Sequence, residues 1–126
     1  MSHIGPMIAA SAKLGLAYAE RLLKDIPADK YARFARVEGT VIESNHPAFI
    51  YGHLSLYASH VISELGCDAS DYTPSAHYEK LFSKDAVCVD DPENSIYPAM
   101  DEVNGHLFSN YQAAIASLEQ AEDDVF

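Results

Sequence analysis

Apolar positions recur at intervals of three and four along three long stretches of the chain. In the first, Met7, Ile8, Ser11, Leu14, Gly15, Tyr18, Leu22 and Ile26 form a stripe that Lys13, Glu20, Arg21 and Lys24 avoid, which predicts an amphipathic helix. Pro6 is tolerated in its first turn and Pro27 stops it. The second stretch begins at Asn45-His46-Pro47, where Asn can cap and proline can occupy the first turn, and it ends at Gly66, a residue suited to a left-handed C-cap. Its predicted apolar face comprises Phe49, Ile50, Leu54, Tyr57, Val61 and Leu65. The third opens at Pro98 with Asp101 and Glu102 in its first turn, where the helix dipole favours anions. It carries Met100, Val103, Leu107, Phe108, Tyr111, Ala114, Ile115 and Leu118 on one side, then runs into Glu119, Glu122, Asp123 and Asp124 at the dipole's negative end.

Between these stretches the period fades. The sequence predicts a short helical turn over 28–34, an extended connector at the β-branched run Thr40-Val41-Ile42, and a long connection over 67–96 that holds one short helix near 75–82. Three apolar stripes bury one another less completely than four do. The expected architecture is therefore all-α, a single domain over 1–126 of the up-down-up-down four-helix-bundle type. Three long helices lie in this sequence, and the fourth is expected either outside it or from a partner chain.

Composition narrows the function classes. The 126 residues are 48% hydrophobic and 21% charged, which suits a folded globular domain. A formal charge of −11 and a pI near 4.7 set the averaged field against phosphate backbones and anionic lipid, so neither nucleic acid nor a membrane surface is an expected partner. The N-terminal Met-Ser-His-Ile-Gly-Pro lacks the charged start and apolar stretch of a signal peptide, and no apolar run reaches the roughly 20 residues of a membrane span. A cytoplasmic location is expected. Cys67 and Cys88 form no C-x-x-C pair and read as two unpaired thiols.

Among six histidines, His53 and His60 lie seven positions apart in the second helical stretch. On an ideal helix they differ by about 20° and are separated by about 10.5 Å, so they share a face yet cannot ligate one ion together. His53 stands against the apolar wall of Ile50, Leu54 and Tyr57, where an imidazole needs a hydrogen-bond partner or a metal ion to offset burial. On spacing alone the hydrogen-bonded core histidine is the commoner role and the ligand the rarer one. Glu64 follows His60 by one helical turn, which permits either a shared ion or an ordinary intrahelical contact. His46 is placed to help start the helix, whereas His3, His77 and His106 read as surface residues. The run Asp90-Asp91-Pro92-Glu93 is either a solvated loop, the commoner case, or a hard-cation site. Tyr57 and Tyr111 fall on apolar stripes and can each direct a hydroxyl into a substrate pocket. No H-E-x-x-H, G-x-S-x-G, glycine-rich phosphate loop or EF-hand spacing occurs.

The stretch His46-Pro47-Ala48-Phe49-Ile50-Tyr51-Gly52-His53-Leu54 follows a helix that ends in Asp25-Ile26-Pro27-Ala28-Asp29. With Tyr78-Glu79-Lys80-Leu81-Phe82, the Tyr97-Pro98 start and the third helix, it resembles the DinB-like superfamily of helical bundles. That resemblance implies a three-histidine site for a divalent ion such as Zn or Ni. His53 matches the ligand on the second helix. The other two ligands belong to an H-x-x-x-H pair on a fourth helix, and no such pair occurs in this sequence. The resemblance further implies a homodimer and a metal-dependent thiol transferase or hydrolase, in which an activated thiolate or water attacks a small-molecule substrate oriented by Tyr57. The alternative is a non-catalytic helical assembly module with a degenerate metal site.

Overall fold

A computed structural model describes residues 2–126. Helices dominate. They are α1 (Ile4–Leu23), α2 (Pro47–Leu54), α3 (Ala58–Glu64), α4 (Ala76–Phe82) and α5 (Met100–Gln120), with 3-10 turns at Ala28–Lys30, Ser70–Tyr72 and Asp123–Val125. α5 is the central rod, packed against α1, α2 and α3, while α4 closes on α2. A four-helix bundle is compatible with this arrangement. The short helix expected near 75–82 is α4, whose N-cap Ser75 accepts the Tyr78 N–H.

The all-α expectation needs one correction. Ala35–Val37 (β1) and Thr40–Ile42 (β2) pair antiparallel, with Arg36 opposite Val41. The loop between them holds two residues, and Glu38 and Gly39 both adopt positive φ, 50° and 81°, the backbone twist that matches a two-residue hairpin. The run Thr40-Val41-Ile42 is extended as expected, but as half of an exposed ribbon.

The second helical stretch is broken. Ser55 Oγ donates to the Gly52 carbonyl at 2.6 Å, and the N–H groups of Leu56 and Tyr57 bond three residues back, to His53 and Leu54. This tightened turn separates α2 from α3. The cap is also different: His46 rather than Asn45 occupies the N-cap and accepts the Phe49 N–H on Nδ1. At the end of the third helix, Glu119 stays in the last turn and pairs with Lys13, whereas Glu122, Asp123 and Asp124 leave the helix axis. The chain turns after Gln120, and Asp123 accepts the N–H groups of His3 and Ile4, so its charge sits at the positive end of α1.

Two of the three predicted apolar faces are displaced. α5 buries Val103, Leu107, Ala114, Ile115 and Leu118, as its stripe predicts. α1 instead turns Gly5, Ala9, Ala12, Leu16 and Ala19 inward, leaving Met7, Leu14, Tyr18 and Leu22 at 72, 75, 57 and 52% exposure. α2 and α3 bury Phe49 of the predicted face together with Ala48, Tyr51, Gly52, Ala58, Ser59 and Ile62, while Ile50, Leu54 and Tyr57 stay about 40% exposed. Small residues make these contacts because they let backbones approach: a Cβ on Gly5 would fall 2.1 Å from the Leu118 carbonyl oxygen.

The main core is aromatic and lies around α2. Tyr31, Phe49, Tyr51, Tyr78, Phe82 and Tyr97 enclose it, with Leu56, Val103 and Leu107. Gly52 lets the Phe82 ring lie directly on α2, since a Cβ there would meet three ring carbons at about 2.4–2.5 Å. The loop into α5 hangs on Asp91, which is 1% exposed and accepts the N–H groups of Ser95, Ile96 and Tyr97 at 2.9–3.0 Å.

Candidate functional site

His53 occupies the last turn of α2, half-buried, with its ring parallel to that of Phe49 at 6.1 Å. Its Nδ1 lies 2.6 Å from the Phe82 carbonyl oxygen, so Nδ1 carries the proton and donates it. Nε2 is then the acceptor, and the Tyr57 hydroxyl donates to it at 3.1 Å. His46, seven residues earlier, holds the opposite tautomer. Its Nδ1 accepts the Phe49 N–H and its Nε2 donates to the Val89 carbonyl at 2.8 Å. His46 is a buried strut; His53 is its counterpart at the edge of the core, with the acceptor nitrogen facing a 39%-exposed tyrosine. Nothing in the sequence near His53 signals the Phe82 carbonyl, which lies 29 positions away.

The remaining candidates gather only in part. His60 and Glu64 lie one turn apart on α3, both exposed. The Tyr57 and His60 rings are 6.3 Å apart. Tyr111 is half-buried on α5; burial raises its pKa, and the nearby Tyr57 raises it further. His60, Glu64 and Tyr111 all line one open groove of about 620 Å³ between α1, α3 and α5, floored by Ala114, Ile115 and Leu118. Tyr57 stands near His60 and Tyr111 of that groove, and His53 is linked to it through the Tyr57 hydroxyl.

Other sequence candidates are occupied structurally. Asp90 pairs with Arg33 and accepts the Phe34 N–H, so its carboxyl lies below the ordinary range. Asp91 is committed to three backbone donors, which leaves the acidic run no free pair of carboxylates for a cation. Burial pushes the Cys88 thiol up, against smaller opposing effects from His46 and Tyr97, and this disfavours the reactive thiolate. Cys67 is exposed and unpaired.

Among the described residues no three His, Cys, Asp or Glu side chains gather where they could hold a metal ion. His53 offers one nitrogen, already bonded to Tyr57. By themselves these residues do not fit a Zn or Ni centre, which needs three protein ligands when it is catalytic. No helix of the described residues is long and apolar enough to cross a membrane. Comparison with protein-family models, curated proteins and solved structures gives no match.

Proposed function

We propose that the chain is a helical assembly module that forms a homodimer through the outer face of α1. The observation that carries this reading is the exposure of Met7, Leu14, Tyr18 and Leu22 along one side of a single helix, with Ser11 at the turn between Met7 and Leu14. Folded monomers rarely expose contiguous apolar patches of that kind without a binding role. The face is also self-complementary. In an antiparallel pair related by a two-fold axis between Leu14 and Gly15, Leu14 of each copy meets Gly15 of the other, Tyr18 meets Ser11, and Met7 meets Leu22. Gly15 has open space where a Cβ would stand, which permits close approach. The first acidic residue of α1 is Glu20, so two chains of charge −11 would meet on a surface where mutual repulsion is small. Light scattering should give twice the 13.8 kDa chain mass, and Leu14→Lys should return the monomer with an unchanged helical spectrum. A wild-type chain that stays monomeric at millimolar concentration removes the reading.

A second reading, the DinB-like metal-dependent enzyme, is favoured by one specific feature. Fixing a histidine's Nδ1–H on a carbonyl, as Phe82 does for His53, is how ligating imidazoles are commonly oriented. In this reading the groove beside Tyr111 takes a further helix that brings the other two histidines, and Tyr57 positions a small-molecule substrate. Zinc and nickel contents of matched preparations of the protein and its His53→Ala variant test it: loss of metal in the variant supports a ligand role, and equal contents rule it out.

A further inference from the structure

Charge is distributed unevenly along this acidic chain. Six of the eight Lys and Arg residues precede residue 37, against three of the nineteen carboxylates. Three of those cations, Lys30, Arg33 and Arg36, line a single cleft of about 500 Å³ between the Ala28–Lys30 turn, β1 and the start of α2. Asp25 is the one carboxylate in the lining, and Ile26, Pro27, Phe34 and Pro47 supply an apolar wall.

The cations differ in how they are held. Arg33 is preorganised: its Nε donates to Asp90 Oδ1 at 2.9 Å and its Nη2 reaches Oδ2 at 3.5 Å, which fixes the plane of the guanidinium and leaves Nη1 without a protein acceptor. Lys30 and Arg36 form no ion pair among the described residues, although carboxylates outnumber cations by more than two to one. Asp90 lies against Arg33 and within the field of Arg36, and Asp25 belongs to the lining, so the cleft sets three cations against two carboxylates and keeps an excess of positive charge that attracts a compact anion.

We propose that this cleft binds a small organic phosphate monoester, with the phosphate on Lys30, Arg33 and Arg36 and the organic part on Phe34, Ile26 and Pro47. A dianion suits a lining with two unpaired cations, Lys30 and Arg36, better than a single carboxylate does, and the Arg33 guanidinium, held in one plane by Asp90, offers its free Nη1 to a phosphate oxygen with little loss of freedom. The apolar wall selects for an ester over the inorganic ion.

Phenyl phosphate is the probe, followed by backbone amide NMR at constant ionic strength, with inorganic phosphate and benzoate as comparators. Saturable shifts are expected at Lys30 and Phe34–Arg36. Affinity should fall about ten-fold in the Lys30→Gln/Arg36→Gln double variant and stay unchanged in Lys80→Gln/Lys84→Gln, which removes two cations elsewhere. Shifts that do not saturate, or equal losses in the two double variants, overturn the site. Benzoate binding as tightly as phenyl phosphate overturns the dianion assignment, and inorganic phosphate binding as tightly overturns the role of the apolar wall. All four substituted side chains are exposed, and an unchanged amide spectrum outside the cleft verifies that each variant is folded.

Discussion

Helices α1 and α5 have twenty and twenty-one residues and pack side by side, yet their apolar residues face in opposite directions. α5 has neighbours on several sides, and its large side chains, Val103, Leu107, Ile115 and Leu118, are covered by them. α1 packs mainly on α5, through Gly5, Ala9 and Ala12, and touches α2 where the Tyr51 hydroxyl donates to the Ala19 carbonyl, so Met7, Leu14, Tyr18 and Leu22 are left outside. An amphipathic stripe therefore marks a surface that can be covered, without marking which surface is covered in the chain itself.

The largest effect should separate the two helices directly. Leu107, 2% exposed in the aromatic core, should cost about 2–5 kcal/mol when truncated to Ala, through lost transfer energy and the cavity left behind. Leu14→Ala, at a 75%-exposed position, should change the stability of the isolated chain by no more than about 0.5 kcal/mol. Urea unfolding at concentrations below self-association measures both. Equal losses would contradict the assignment of inner and outer faces.

The two helices also start differently. α5 is delivered by the buried Asp91, and α1 is capped by the half-buried Asp123. Burial pushes the Asp91 carboxyl up, but the N–H groups of Tyr97, Ser95 and Ile96, with His46, outweigh it and hold the value below the ordinary one. For Asp123 the Ile4 and His3 N–H groups lower it. A lowered folded-state pKa means that the unfolded chain takes up the proton first. The stabilisation is complete above the ordinary aspartate value of about 3.9 and is lost as pH falls through the lowered one. Asp91→Ala should cost about 2–3 kcal/mol at neutral pH by removing the acceptor of three backbone donors, the Tyr97 N–H among them buried, and should flatten the acid limb of the stability curve. An unaltered acid limb would show that the α5 anchor does not titrate with folding.

Gly5→Ala comes next. The added Cβ meets a backbone oxygen of Leu118, which cannot swing aside as a side chain would, so α1 must shift away from α5 at a cost of about 1–3 kcal/mol. Gly15→Ala on the outer face of the same helix meets nothing and should stabilise the isolated chain by up to about 1 kcal/mol through helix propensity. Opposite signs for two identical substitutions in one helix are the expected result of thermal melts.

How much of this was legible in the sequence follows from the same contrast. That α1, α4 and α5 are helices was readable, because period is a local property, although α1 lies over Ile4–Leu23, three residues before the stretch of Met7 to Ile26 that its stripe marks. The inward face of α1 was not, and that of α2 only at Phe49, because stripe reading weights large apolar residues whereas the close helix contacts here also use Gly, Ala and Ser. The break after Leu54 depends on one Ser55 hydroxyl, and the hairpin depends on Glu38 adopting a positive φ, which a residue of that type seldom signals. At the candidate site, His53 was identifiable as an imidazole in need of a partner. Its partners, the Phe82 carbonyl and the Tyr57 hydroxyl, could be assigned only once the long connection had folded back onto α2.

The smallest effect lies where the covered stripe of α5 gives way to the open groove, at the Tyr57 hydroxyl beside Tyr111. Tyr57→Phe removes the donor to His53 Nε2, but that nitrogen faces a 39%-exposed residue, so water can replace the lost bond. The expected loss is below about 1 kcal/mol, against the larger penalty of a fully buried orphan acceptor. Nitrogen NMR of the imidazole should still show the proton on Nδ1, because the Phe82 carbonyl and not Tyr57 sets the tautomer. A loss above about 2 kcal/mol would mean that Nε2 is sealed from solvent and that the Tyr57 hydroxyl is the donor it depends on.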